Sequence, residues 1–184
     1  MKASAQGRLG NPIEARARRC HSTEPMRSLQ IIRENETDDV KALSMTVSSG
    51  LTARGATVET ALLFPEPGTR AKLHGALRVV WRILSGHYDA IIAYQASPSI
   101  VAGVAGWFSR CGRRIGHPTV PPGALRVPPR WLDAIVGTLG FYTVNVANSR
   151  VIFDGFEGYP EGYRRAMRLI EYGIPAVRSR RARS

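Results

Sequence analysis

Residues Gly86 to Val120, GHYDAIIAYQASPSIVAGVAGWFSRCGRRIGHPTV, decide the fold. Ala90 to Tyr94 is an uninterrupted apolar run of strand length, bounded by Gly-His-Tyr-Asp before it and Gln95-Ala-Ser-Pro98 after it. Such a run suits a strand buried on both faces of a parallel sheet. Ser97 reads as an N-cap and Pro98 as the first helical residue, where a missing N–H is no loss. The helix behind them carries Ile100, Val101, Val104, Trp107 and Phe108, with Gly103, Ala105 and Gly106 allowing close approach to a sheet. A second strand closes on His117. The unit is βαβ, and it sets Gln95 and His117 at the carboxyl ends of two strands, the edge where open α/β sheets bind ligands.

Working outward, the alternation continues in both directions. Ser28 to Arg33 reads as the first strand, followed by an acidic loop, Glu34 to Asp39. The loop matches no calcium-binding spacing, and Asp38 and Asp39 suit the start of a helix, where the dipole favours negative charge. That helix has Val40, Leu43, Val47 and Leu51 on one face and stops at Gly55. Thr57 to Phe64 is the second strand. The helix from Thr69 to Ser85 is expected to turn Leu73, Ala76, Leu77, Val80, Trp81 and Leu84 toward the sheet, with Lys72, His74, Arg78 and Arg82 mostly facing away.

After the opening unit, Pro118 to Pro129 is a proline-rich surface loop over the sheet edge, a common place for binding residues. A helix with Trp131, Leu132, Ile135, Val136 and Leu139 ends at Gly140. Tyr142 to Ala147 is a fifth strand, and Asn148-Ser149 caps a short helix from Arg150. Pro160 to Met167 is a further helical turn and Leu169 to Glu171 a sixth strand. The expected fold is α/β: a Rossmann-like, doubly wound, mostly parallel sheet of about six strands.

Composition narrows the function classes. A hydrophobic fraction of 43% and a charged fraction of 22% are ordinary for a globular chain. No apolar run approaches the length of a membrane span. Cys20 and Cys111 offer neither metal-ligand spacing nor a disulfide framework, so a reducing cytoplasm is the expected location. Of the net charge of +12, seven charges lie in residues 1–25 and in the Arg-rich end 177–184. These ends read as disordered basic tails around a domain of residues 26–176, and a basic tail is more often solvated than a nucleic-acid site. No G-x-G-x-x-G fingerprint follows the first strand, and neither a phosphate loop nor a G-x-S-x-G elbow is present. Among the histidines, His117 stands out because it ends a strand. A structural histidine bonded to backbone is the plain alternative.

Five blocks over Leu51 to Pro175 carry a family resemblance: LTARGATVETALLF, YDAIIAYQASPSIVAG, RRIGHPTV, RWLDAIVGTLGFYTVNVANS and FEGYPEGYRRAMRLIEYGIP. In this order they resemble the amino-terminal domain of glycosyltransferase family 4, enzymes of the GT-B fold. The resemblance implies sugar transfer from a nucleotide-sugar donor, with retention and without a metal, the amino-terminal half shaping the acceptor site. By it, His117 matches the active-site histidine after the fourth strand. Gln95 stands beside the acceptor cleft, and Asn148 and Ser149 match the turn after the fifth strand. No donor-binding or metal-binding residue and no cofactor is expected within this chain.

Two departures accompany the resemblance. The family's glycine-rich loop after the first strand is replaced by the acidic Glu34 to Asp39, and no two glutamates stand eight apart to form its Glu-x7-Glu motif. The expectation is therefore an acceptor-binding half that lacks the donor half and is inactive alone. Its expected partners are a sugar or lipid-linked acceptor, a separately encoded donor domain and a peripheral contact at the inner membrane face, with nucleic acid disfavoured. The alternative is a non-catalytic binding module that meets nucleic acid or anionic membrane through its basic tails.

Overall fold

A computed structural model describes residues 25–171 except 35, 65–68 and 126. Apart from Pro25, the two expected tails lie outside the described residues, as do residues 172–176 of the expected domain. The strands are β1 (Arg27–Arg33), β2 (Thr57–Leu63), β3 (Ala90–Tyr94), β4 (Arg113–His117), β5 (Val144–Ala147) and β6 (Met167–Leu169). Between them run α1 (Asp38–Thr52), α2 (Thr69–Gly86), α3 (Ala96–Phe108), α4 (Val127–Thr138), α5 (Arg150–Asp154) and α6 (Glu161–Arg165), with a 3-10 turn at Pro122–Ala124. The sheet is wholly parallel, in the order β2-β1-β3-β4-β5-β6, with helices on both faces. This is the expected Rossmann-like α/β architecture.

Alternation along the strands divides the core. Leu29, Ile31, Ala61, Leu63, Ile91 and Ala93 meet α2 and α3 on one face. On the other face Ile32, Ile92, Tyr94 and Ile115 meet Val40, Leu43, Val47 and Leu51 of α1. All five residues of β3 are buried, as a central parallel strand requires. The small residues of α3 act as expected: a Cβ on Gly103 would stand 2.6 Å from the Tyr142 ring, and one on Gly106 would stand 3.0 Å from Ile91.

Several boundaries differ from the sequence reading, each for a local reason. Helix α3 starts at Ala96, before the expected Ser97 cap, because Gln95 makes the turn with its backbone at φ 69° and ψ 171°. The Gln95 carbonyl accepts from the Ser99 N–H at 3.1 Å. Strand β5 begins at Val144 because Tyr142 turns inward to donate to Asp133 at 2.7 Å. Strand β6 runs Met167–Leu169, since buried Met167 pairs in register with Asn145.

The largest correction concerns α2. Leu73, Leu77, Trp81 and Leu84 are exposed, while Val79 and Ile83 are buried against the sheet with Ala76 and Val80 beside them. Helix α2 carries two apolar stripes of helical spacing, and spacing cannot choose between them. The inward stripe also carries the small residues Gly75, which is buried, and Ala76, which is half-buried. Arg82 also fixes the rotation, donating to Glu59 at 2.9 Å while Tyr88 donates to the same carboxylate at 2.7 Å. Arg27 completes this cluster at the amino-terminal edge of the sheet.

Candidate functional site

The strand order reverses between β1 and β3: the chain leaves β1 outward to β2, then returns across it to β3. A crevice outside the carboxyl ends of strands at such a switch point is where open α/β sheets take ligands. The loop after β1, the turn after β3 and the ends of β4 and β5 all meet this edge.

Gln95 holds the turn after β3. Its combination of φ and ψ belongs to a region that is nearly restricted to glycine and costs on the order of 1–3 kcal/mol for other residues. Two contacts hold it there. The Gln95 N–H donates to the His117 carbonyl at 2.9 Å, tying the ends of β3 and β4, and the side-chain amide donates to Glu36 Oε2 at 2.5 Å. Strain kept at a ligand-binding edge is a mark of a functional position.

Glu36 is the residue the sequence reading missed. The sequence reading of its loop places Asp38 and Asp39 at a helix start, and both are exposed in the first turn of α1. Glu36 instead folds back beneath the edge and is buried. Burial pushes its carboxyl above the usual range, opposed by the positive charges of Arg33 and Lys41. Arg33 Nε lies 3.9 Å from Oε1, which has no hydrogen-bond partner among the described residues. A carboxylate directly after the first parallel strand was the available signal.

His117 ends β4, is buried, and stacks on Tyr94 with ring centroids 5.4 Å apart. Desolvation pulls its imidazole down to about 4, so it is neutral at physiological pH. A neutral imidazole has one donor and one acceptor nitrogen and is not a general acid at that pH.

Asn148 and Ser149 follow β5, the neighbour of β4. Ser149 caps α5 as expected, its hydroxyl accepting from the Ile152 N–H at 3.4 Å. Asn148 Oδ1 is shielded from solvent and unpartnered among the described residues. The structure thus joins Gln95 to His117 directly, adds Glu36, and sets Asn148 and Ser149 one strand further along.

The proline-rich loop roofs this edge. Pro118, Thr119, Val120 and Leu125 close a cavity of about 10 Å³ with Asn145 and Asp133 below. That space holds roughly one water and no sugar. Thr119 Oγ1 and Asn145 Nδ2, both unpartnered, are suited to such a water. Asp133 accepts from Tyr142 and Tyr163, each at 2.7 Å, and burial raises its carboxyl. The triad anchors α4, β5 and α6 and is structural. Among the described residues no cluster of His, Cys, Asp and Glu forms a metal site.

No protein-family model and no curated protein matches the chain. Solved structures do. The fold matches that of HepE from Anabaena in complex with UDP and glucose, at a TM-score of 0.59 and 16% identity. The complexes with UDP-glucose and with UDP give TM-scores of 0.59 and 0.55, each at 14% identity. What is shared is the fold. The match takes in 81% of this chain and 45% of the first HepE chain, so the chain spans under half the length of that protein.

Proposed function

We propose that the chain is the acceptor-side half of a GT-B glycosyltransferase of the family 4 type, transferring a hexosyl group from a nucleotide sugar with retention and without a metal. The observation that carries this reading is the fold likeness to under half of HepE, a protein seen with UDP and glucose. The polar strand ends support it: Glu36, Gln95 and His117 converge at the switch point, where a carbohydrate would find acceptors and donors.

In this reading neutral His117 hydrogen-bonds a sugar hydroxyl, and Gln95 aligns it through the shared backbone bond. Asn148 offers a further acceptor at the end of β5. The buried Glu36 carboxyl stands close to where a diphosphate would approach the first strand, and it disfavours an anion there. Binding of the nucleotide diphosphate therefore belongs to a second Rossmann-like unit, at a helix N-terminus. The acceptor-side half transfers no sugar by itself. The acceptor is a sugar or a lipid-linked sugar.

Radiolabelled transfer from UDP-glucose to a panel of mono- and disaccharides tests the reading. The expected result is no transfer by this unit alone and transfer when a donor-binding unit is supplied. Robust transfer by residues 26–171 alone would contradict it.

A further inference from the structure

Helices α2, α3 and α4 lie side by side on one face of the sheet, and their outer surface is apolar, aromatic and basic. All three tryptophans of the chain lie on it: Trp81 on α2 is 72% exposed, Trp107 on α3 52% and Trp131 on α4 62%. Leu73, Leu77 and Leu84 extend the surface along α2, Phe108 ends α3, and Leu132, Ile135 and Leu139 continue it on α4. The middle helix has no charged residue, a composition ordinarily found in deep burial or against lipid. An exposed apolar area of this extent marks an interaction site.

The charges around it identify the occupant. Arg78 lies beside Leu77, Trp81 and Leu84, Arg110 lies beside Trp107 and Phe108, and Arg70, Lys72 and Arg130 add positive charge to the same helices; none forms an ion pair among the described residues. The only carboxylate on these helices is Asp133, which is buried beneath two tyrosines. A second copy seated on this face would bring two basic rims together without a counter-charge. A bilayer rich in anionic phospholipid supplies both needs, phosphates for the rim and an acyl boundary for the aromatic and aliphatic side chains. Tryptophan in particular favours that boundary.

We infer that the outer face of α2, α3 and α4 docks peripherally on anionic phospholipid bilayers. The inference goes beyond the proposed sugar transfer and does not depend on it. Among the described residues no helix is long and apolar enough to cross a membrane, so the contact is with the surface.

Because every tryptophan lies on this face, the full chain reports its own docking. Vesicles of phosphatidylcholine containing phosphatidylglycerol should co-sediment the protein and shift its emission to the blue, and brominated acyl chains should quench it. Pure phosphatidylcholine should bind it far less. The exposed double variant Leu77→Glu/Trp107→Glu should keep the wild-type circular dichroism and melting curve while losing at least about tenfold in vesicle partition. Three results would overturn the inference: co-sedimentation with unshifted and unquenched emission, co-sedimentation undiminished in the folded double variant, or lipid-free dimerisation that the double variant abolishes.

Discussion

At the residue scale, the site is defined by two side chains whose environments oppose their ordinary chemistry. His117 is held neutral by desolvation, its imidazole at about 4 instead of the usual 6.5. The unfolded chain therefore takes up a proton at this residue before the folded chain does. Stability from this source is fully present above about pH 6.5 and is lost as pH falls toward 4, by up to about 3 kcal/mol. Denaturant titrations across that window should show this slope in the wild type and a shallower one in His117→Asn. Glu59 adds to the acid sensitivity lower down: hydrogen bonds from Tyr88, Arg27 and Arg82 hold it at about 2, so its contribution fades between about pH 4.5 and 2. Gln95 gives a separate test. Both Gln95→Ala and Gln95→Gly remove the amide bond to Glu36, but only glycine relieves the positive φ. Gln95→Gly should exceed Gln95→Ala in unfolding free energy by about 1–2 kcal/mol, measured by urea denaturation. Gln95 and His117 were legible in the sequence because strand ends in a parallel sheet are few and both carry polar groups. Glu36 was not, since Asp38 and Asp39 beside it are ordinary helix-start acids and only the backward fold of the loop separates them.

At the element scale, β3 lies where its apolar run places it, because a strand buried on both faces tolerates nothing else. The rotation of α2 was not legible. Two apolar stripes fit the same period, and the choice rests on long-range facts: the packing of Val79 and Ile83 against the sheet and the reach of Arg82 to Glu59. The consequence is measurable. Ile83→Ala should cost about 2–5 kcal/mol by urea denaturation, whereas Leu77→Ala and Trp81→Ala should stay within about 0.5 kcal/mol. Had the bulky stripe been the buried one, the ranking would invert. Gly103 offers a parallel check on α3. Its Cβ would meet the Tyr142 ring at 2.6 Å and Val136 at 3.3 Å, so Gly103→Ala should destabilise by about 1–3 kcal/mol despite alanine's better helix propensity.

At the scale of the whole molecule, the two edges of the sheet divide the work. The amino-terminal edge is locked by an ion cluster in which Arg27, Arg82 and Tyr88 all bond the Glu59 carboxylate. The carboxyl-terminal edge keeps a strained turn, a neutral buried histidine and atoms of Glu36, Thr119, Asn145 and Asn148 that have no hydrogen-bond partner among the described residues. That contrast, together with a fold shared with under half of a protein seen with UDP and glucose, supports the acceptor-side reading. The Rossmann-like architecture could be read from the βα alternation, while the roofing of the edge by the proline-rich loop could not, because it depends on Pro118 to Leu125 packing above Asn145 and Asp133. The most direct test is a ¹H–¹⁵N titration of residues 26–171 with saccharides and, separately, with UDP. The account predicts saturable shifts at the Gln95 amide and the His117 imidazole with at least one saccharide, and none with UDP. Saturable shifts with UDP in the loop after β1, with no saccharide moving Gln95 or His117, would contradict it.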